Sequence, residues 1–135
     1  MGQVPQKKVN RPSHLFIGSG RLAQHLQHYF NLKQIPVLQW SRRQGSSESL
    51  RALASQAQWI WLLISDSEIL PFIEKYPEIG PHRWIHCSGS LVLPGITSLH
   101  PLMSFAGDLY SLEIYSRMLF VGESGHPDLA TICPE

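Results

Sequence analysis

Apolar positions in this chain alternate between short continuous runs and helical spacing, several times in succession. Leu15, Phe16 and Ile17 form a run, and after a glycine break Leu22, Ala23, Leu26, Tyr29 and Phe30 recur at the spacing of one helix face. Pro36-Val37-Leu38-Gln39-Trp40 reads as a second strand, entered through a proline as strand starts allow. Leu50, Leu53 and Ala54 predict a short helix from Glu48 to Gln56, following the Gly45-Ser46-Ser47 turn. Trp59 to Ile64 is an unbroken apolar run, which suits a strand covered on both faces of a parallel sheet. Asp66 or Ser67 then caps a helix running through Tyr76, with Pro71 near its first turn.

Three further strands are predicted at Arg83 to Cys87, at Thr97 to His100 stopping at Pro101, and at Met118 to Val121 stopping at Gly122. The segment between Gly89 and Thr97 has room for a turn or so of helix, and Phe105 to Ser116 is ambiguous. The β-α-β-α-β-α order predicts an α/β fold, a doubly wound and mainly parallel sheet in a single domain over residues 14–135. Met1 to Ser13 is polar and reads as a flexible tail.

Composition narrows the partners. At 135 residues and 43% apolar content, the chain can bury one domain core. Charged residues are 16%, below the usual ~25%, and net charge is +1, so neither nucleic acid nor an anionic membrane is indicated. Cys87 and Cys133 are too few and too far apart for a disulfide scaffold or a CxxC metal site. Free thiols and a cytoplasmic setting are the expectation. The N-terminal segment carries Lys7, Lys8 and Arg11 but no apolar signal core, and no run approaches the ~20 residues of a membrane span.

The candidate chemistry begins in the break after the first run. Gly18-Ser19-Gly20-Arg21-Leu22-Ala23 has the form Gly-x-Gly-x-x-Ala between a strand and a helix. That arrangement delivers backbone N–H groups and the positive end of a helix dipole to one point, where a dinucleotide pyrophosphate can sit. Gly18 would turn the chain off the strand, Gly20 would remove a Cβ from the phosphate's path, and Ala23 would let the helix pack close. The pattern alone is weak, because ordinary βα turns also use glycine pairs.

About 20 residues beyond such glycines, a dinucleotide site presents an acid to the ribose of NAD or a cation to the 2′-phosphate of NADP. Here the second strand ends in Ser41-Arg42-Arg43, with no acid. Guanidinium forks pair bidentately with a phosphate dianion, so NADP(H) is the expected cofactor. Taken in isolation, the same two arginines could be solvated loop cations.

Ligands of open parallel sheets bind off the carboxyl ends of the strands, where strand order reverses. This gathers Gly18-Ser19-Gly20, Ser41-Arg42-Arg43, Ile64-Ser65-Asp66 and Ser88-Gly89-Ser90 into one candidate site, joined by His100. Arg21 and Leu22, opening the first helix, complete the expected cofactor contacts.

With these residues in view, IGSGRLAQHL, WSRR, LLISDSEI, WIHCSGSL and SLHPLMSF in succession resemble the N-terminal Rossmann-like domain of oxidoreductases that carry a DUF2520 domain. These belong to the wider 6-phosphogluconate dehydrogenase and ketopantoate reductase-like group. The likeness covers roughly His14 to Val121 and implies NADP binding, with a second, helical domain completing the substrate pocket and a homodimer. The chain stops at Glu135, where that helical domain should begin, so an incomplete enzyme is expected.

His100-Pro101-Leu102-Met103 is also similar to the His-Pro-Met segment of prephenate dehydrogenases, whose histidine contacts the substrate hydroxyl. That analogy implies a base at His100, with Ser88 as a hydrogen-bonding neighbour of an unknown small substrate. A structural hydrogen bond from His100 to a turn is equally open. His25 and His28 share a helix at i and i+3 but lack acidic or cysteine partners, so exposure rather than metal binding is expected. His86, Cys87 and the four tryptophans read as packing residues. Two functions stay in play: hydride transfer with NADP(H), and a non-catalytic dinucleotide-binding or interaction domain.

Overall fold

Successive strand residues face opposite ways, so an unbroken apolar run feeds two cores at once. The computed structural model describes residues 13–79, 83–122 and 132. In chain order its elements are β1 (His14–Ile17), α1 (Arg21–Leu32), β2 (Val37–Trp40), α2 (Ser47–Ala54), β3 (Trp59–Leu62), α3 (Asp66–Lys75), β4 (Trp84–His86), β5 (Thr97–Pro101), α4 (Leu112–Tyr115) and β6 (Phe120–Gly122). Leu15, Ile17, Ile60, Leu62 and Trp84 face one core, with Leu50 and Ala54 of α2 and Ile69 of α3. Phe16, Trp61 and Ile85 face the other, with Ala23, Leu26, Tyr29 and Phe30 of α1 and Tyr115 of α4.

The fold is therefore α/β, with helices on both faces of one six-stranded sheet ordered β2-β1-β3-β4-β5-β6. Every pair of neighbours is parallel except β5 and β6. From β1 the chain steps outward to β2 and then crosses back to β3 on the other side of β1. Strand order reverses there, and the carboxyl ends of β1 and β3 open a crevice.

Several boundaries differ from expectation for local reasons. The N-cap of α3 is Ser65 rather than Asp66 or Ser67, and Pro71 lies inside the helix, beyond its first turn. Pro101 does not stop β5; it pairs with Phe120 in β6. The adjacent Leu102 N–H donates to the Leu119 carbonyl at 2.7 Å, which leaves the proline at a ladder position that asks for no donor. β6 begins at Phe120, two residues later than expected, because the Met118 N–H closes a turn onto Tyr115. No helix forms between Gly89 and Thr97, and the ambiguous stretch after Phe105 yields only the short α4, capped by Ser111.

His25 is a clear departure: expected in solvent, it is buried. Its Nε2 donates to the Ala106 carbonyl at 2.8 Å, and its Nδ1 accepts from the Tyr115 hydroxyl at 2.8 Å. The segment around Phe105 and Tyr110 folds over this side of α1, with both rings against the imidazole. The His25 side of α1 is thus a second contact surface, covered by aromatic rings with the imidazole nitrogens satisfied by hydrogen bonds.

His86 and Cys87 are buried, as are Trp40, Trp61 and Trp84; Trp59 is half-buried. Ser13, at the edge of the expected tail, accepts from the Gln58 and Trp59 amides, while the rest of that tail and Cys133 lie outside the described residues. Among the described residues no His, Cys, Asp and Glu cluster could hold a metal ion, and no helix is long and apolar enough to cross a membrane.

Candidate functional site

The turn from β1 into α1 is fixed by its neighbours. Gly18 adopts φ +129°, and a Cβ on it would stand 2.2 Å from the Leu63 carbonyl oxygen. Only glycine fits both the dihedral and the space. The Gly18 N–H donates to the Trp40 carbonyl at 2.9 Å, and the Leu63 N–H donates to the Ile17 carbonyl at 2.8 Å, so the turn is clasped between the ends of β2 and β3. Gln24 and Gln39 hold the Ser19 and Gly18 carbonyls from either side.

Gly20 is the N-cap of α1 and brings no side-chain acceptor, and no acid stands in the first turn. By contrast, α2 closes its N-terminus with a Ser46–Ser49 capping box. The first-turn amides of α1 keep their donors and the positive end of the dipole. A Cβ on Gly20 would meet no atom within 4 Å, so the turn leaves open space at this helix end. Donors, dipole and space together are what an anionic phosphate requires.

A cavity of about 400 Å³ sits on this turn, lined by Gly18, Ser19, Gly20, Arg21, Leu22, Ser41, Arg42, Arg43, Leu63, Ile64, Ser65 and Glu68. Three sequence-distant strand ends thus converge. Asp66 alone of the expected cofactor residues is missing from the lining, and Leu63 and Glu68 are additions. A second, more apolar cavity of about 190 Å³ adjoins it, sharing Gly18, Arg42, Ile64 and Glu68 and walled by Ile17, Trp40, Ser67, Pro71, Phe72, Lys75 and Tyr76. Glu68, Phe72 and Tyr76 were not singled out from the sequence. Their spacing of four residues marks one stripe running along α3 to its C-cap Tyr76, a signal that becomes meaningful once α3 is known to border the crevice.

Electrostatically the two cavities meet at one ion pair. Arg42 donates to Glu68 Oε1, and Ser65 Oγ donates to Glu68 Oε2 at 2.7 Å. The Ser65 hydroxyl, and then the Arg42 guanidinium, hold the Glu68 carboxyl below its usual range. Arg43 is exposed and lines the same cavity.

The other predicted group forms a separate knot at the ends of β4 and β5. Ser88 Oγ donates to Asp66 Oδ2 at 2.8 Å and accepts from the Ser90 and Leu91 amides, both at 3.2 Å. A hydroxyl has one donor and two lone pairs, so the capacity of Ser88 is filled. Asp66 belongs to this knot and binds the first turn of α3 to the loop after β4.

His100 Nδ1 lies 3.0 Å from the Cys87 carbonyl, which can only accept. The neutral ring is therefore protonated at Nδ1 and keeps its lone pair at Nε2. Gly89 leaves room for that edge of the ring, since a Cβ there would lie 3.0 Å from Nε2. Neither Ser88 nor His100 lines the two cavities just described. Buried Cys87 is a free thiol pushed up to about 12 by desolvation, which makes it a poor nucleophile.

Fold and site together define a class: an open α/β domain with a mostly parallel sheet and an anion-ready crevice where its strand order reverses. Family models, curated proteins and solved structures yield no match to the chain.

Proposed function

We propose that the chain is a Rossmann-like domain that binds NADP(H) and serves an oxidoreductase of the DUF2520-containing kind. The observation that carries this reading is the lining of the larger cavity, where Gly18-Ser19-Gly20, Ser41-Arg42-Arg43 and Ile64-Ser65 converge. In this reading the α1 amides take the pyrophosphate, Arg42 and Arg43 take the 2′-phosphate, and the apolar cavity beside Trp40, Phe72 and Tyr76 shelters the adenine.

The bound cofactor would supply or accept the hydride. The chain's own part in that chemistry falls to His100, whose Nε2 lone pair suits it to take a hydroxyl proton. Ser88, with its hydrogen bonds filled by Asp66 and two amides, shapes the loop beside it.

Titration with NADPH and with NADH, followed by calorimetry, tests the reading. Binding of NADPH in preference to NADH is expected, and binding of neither overturns it. A non-catalytic role for the same pocket draws on one observation, the separation of His100 and Ser88 from both cavities. Cofactor binding without NADPH oxidation across a panel of carbonyl compounds would favour it.

A further inference from the structure

The guanidinium assigned above to a 2′-phosphate already holds an anion. Arg42 is paired with Glu68, and Glu68 lines both cavities at the place where they meet. We propose that Glu68 determines nucleotide specificity: its carboxylate occupies the seat on Arg42 that a 2′-phosphate would take, and so weakens the preference for the phosphorylated nucleotide. The inference rests on the dinucleotide reading of the pocket and adds a residue that the glycine turn and arginine pair do not reveal.

Three observations converge on this role. Glu68 stands in the first turn of α3, where the helix terminus favours an anion, and Ser65 Oγ fixes its second oxygen at 2.7 Å. The carboxylate is therefore positioned on the pocket wall and is not a freely waving surface charge. The end of β2 itself carries no acid, so Glu68 is the carboxylate that the wall of the larger cavity presents to a ribose. A carboxylate accepts hydrogen bonds from a ribose 2′-hydroxyl and repels a 2′-phosphate.

Exchange is also sterically feasible. The Arg42 and Glu68 side chains are 74% and 41% exposed, so a phosphate can reach the pair from solvent. An exposed ion pair is held weakly enough to be displaced. A dianion that displaces Glu68 still meets the carboxylate's charge nearby, whereas a 2′-hydroxyl does not.

The test uses adenosine 2′,5′-bisphosphate and adenosine 5′-monophosphate as probes, alongside NADPH and NADH, on the parent chain and on Glu68→Gln. Glutamine keeps the length and the acceptor for Ser65 while removing the charge. The bisphosphate should bind Glu68→Gln about tenfold more tightly than the parent, a change set by one removed like charge. The monophosphate should be unchanged or weaker. An unchanged or lower bisphosphate-to-monophosphate ratio, with both probes still binding, overturns the role of Glu68 and leaves the pocket standing. Failure of all four nucleotides to bind the parent overturns the pocket and this inference together.

A double-mutant cycle with Arg42→Gln adds the second check. If Glu68 acts by occupying Arg42, Glu68→Gln should bring a smaller gain in bisphosphate affinity once Arg42 is absent, because only the like-charge repulsion is then relieved. An equal gain in both backgrounds overturns the shared-seat explanation.

Discussion

Gly18 and Leu63 lie closer than any side chain allows, with 2.2 Å between a Cβ on the glycine and the leucine carbonyl oxygen. Gly20, two residues on, faces open space. The two glycines therefore differ in kind, one fixed by a close backbone approach and one bordering open space. Gly18→Ala should destabilise the domain by about 2 kcal/mol or more, seen as a lower urea midpoint. Gly20→Ala, at an N-cap, should cost about 1 kcal/mol or less yet weaken NADPH binding at least tenfold. Equal effects of the two substitutions on stability would contradict this division.

Arg43 supplies a more direct probe of the proposed 2′-phosphate seat than Arg42, which is shared with Glu68. Losing one charge-assisted hydrogen bond costs about 1.5–3 kcal/mol. Arg43→Ala should therefore weaken NADPH by roughly ten- to a hundredfold while leaving NADH nearly untouched. Arg42→Glu should reverse the preference outright. Calorimetric titration of the two variants decides, and equal losses for both nucleotides would remove the phosphate contact.

Stability should also follow the charge state of His14. Burial pushes its pKa from 6.5 down to about 4, with Trp61 Nε1–H donating to its Nδ1 at 3.1 Å and the Phe30 ring standing edge-on. The unfolded chain takes up this proton at a higher pH than the folded one. The contribution is therefore complete above pH 6.5 and is lost as pH falls from 6.5 to about 4. Its full size is about 3 kcal/mol. Chemical denaturation between pH 7.5 and pH 4.5 measures it, and His14→Phe should flatten that part of the profile.

Cys87, pushed up to about 12, should stay protonated and unlabelled by a thiol reagent at pH 8 while the domain is folded. In a Cys133→Ser background, modification of Cys87 should follow unfolding by denaturant. Rapid labelling of the native protein would show that the base of the β4 loop opens.

The order of strands and helices was legible because each apolar run and each helical stripe is local, and both cores demand the same periodicity. The residues that line the larger cavity were legible for a topological reason, since parallel strands place their carboxyl ends together. What escaped depended on contacts distant in sequence. His25 sits on what looks like the polar face of α1, and only the return of Ala106 and Tyr115, more than 80 residues away, makes that face an interior. Pro101 looked like a strand stop because the antiparallel register that tolerates it is set by β6. Asp66 was grouped with the pocket through its neighbour Ser65, but its carboxylate turns toward Ser88 and Ser90. The Arg42–Glu68 pair required knowing that α3 flanks the end of β2.

At the far end of the sheet, the Arg83 guanidinium donates to the carbonyls of Ala54, Ala57 and Ile79. One side chain thereby cross-ties the end of α2, the entry to β3 and the chain beyond α3. At the crevice end the side-chain ties are separate pairs, the exposed Arg42–Glu68 ion pair and the part-buried Ser88–Asp66 hydrogen bond, each joining a strand end to α3. The base is tied through one three-way side chain and the rim through separate pairs. Hydrogen exchange should be slowest around Ile60 and Ile85 and fastest in the rim loops, where a nucleotide could close the turns around itself without disturbing the sheet.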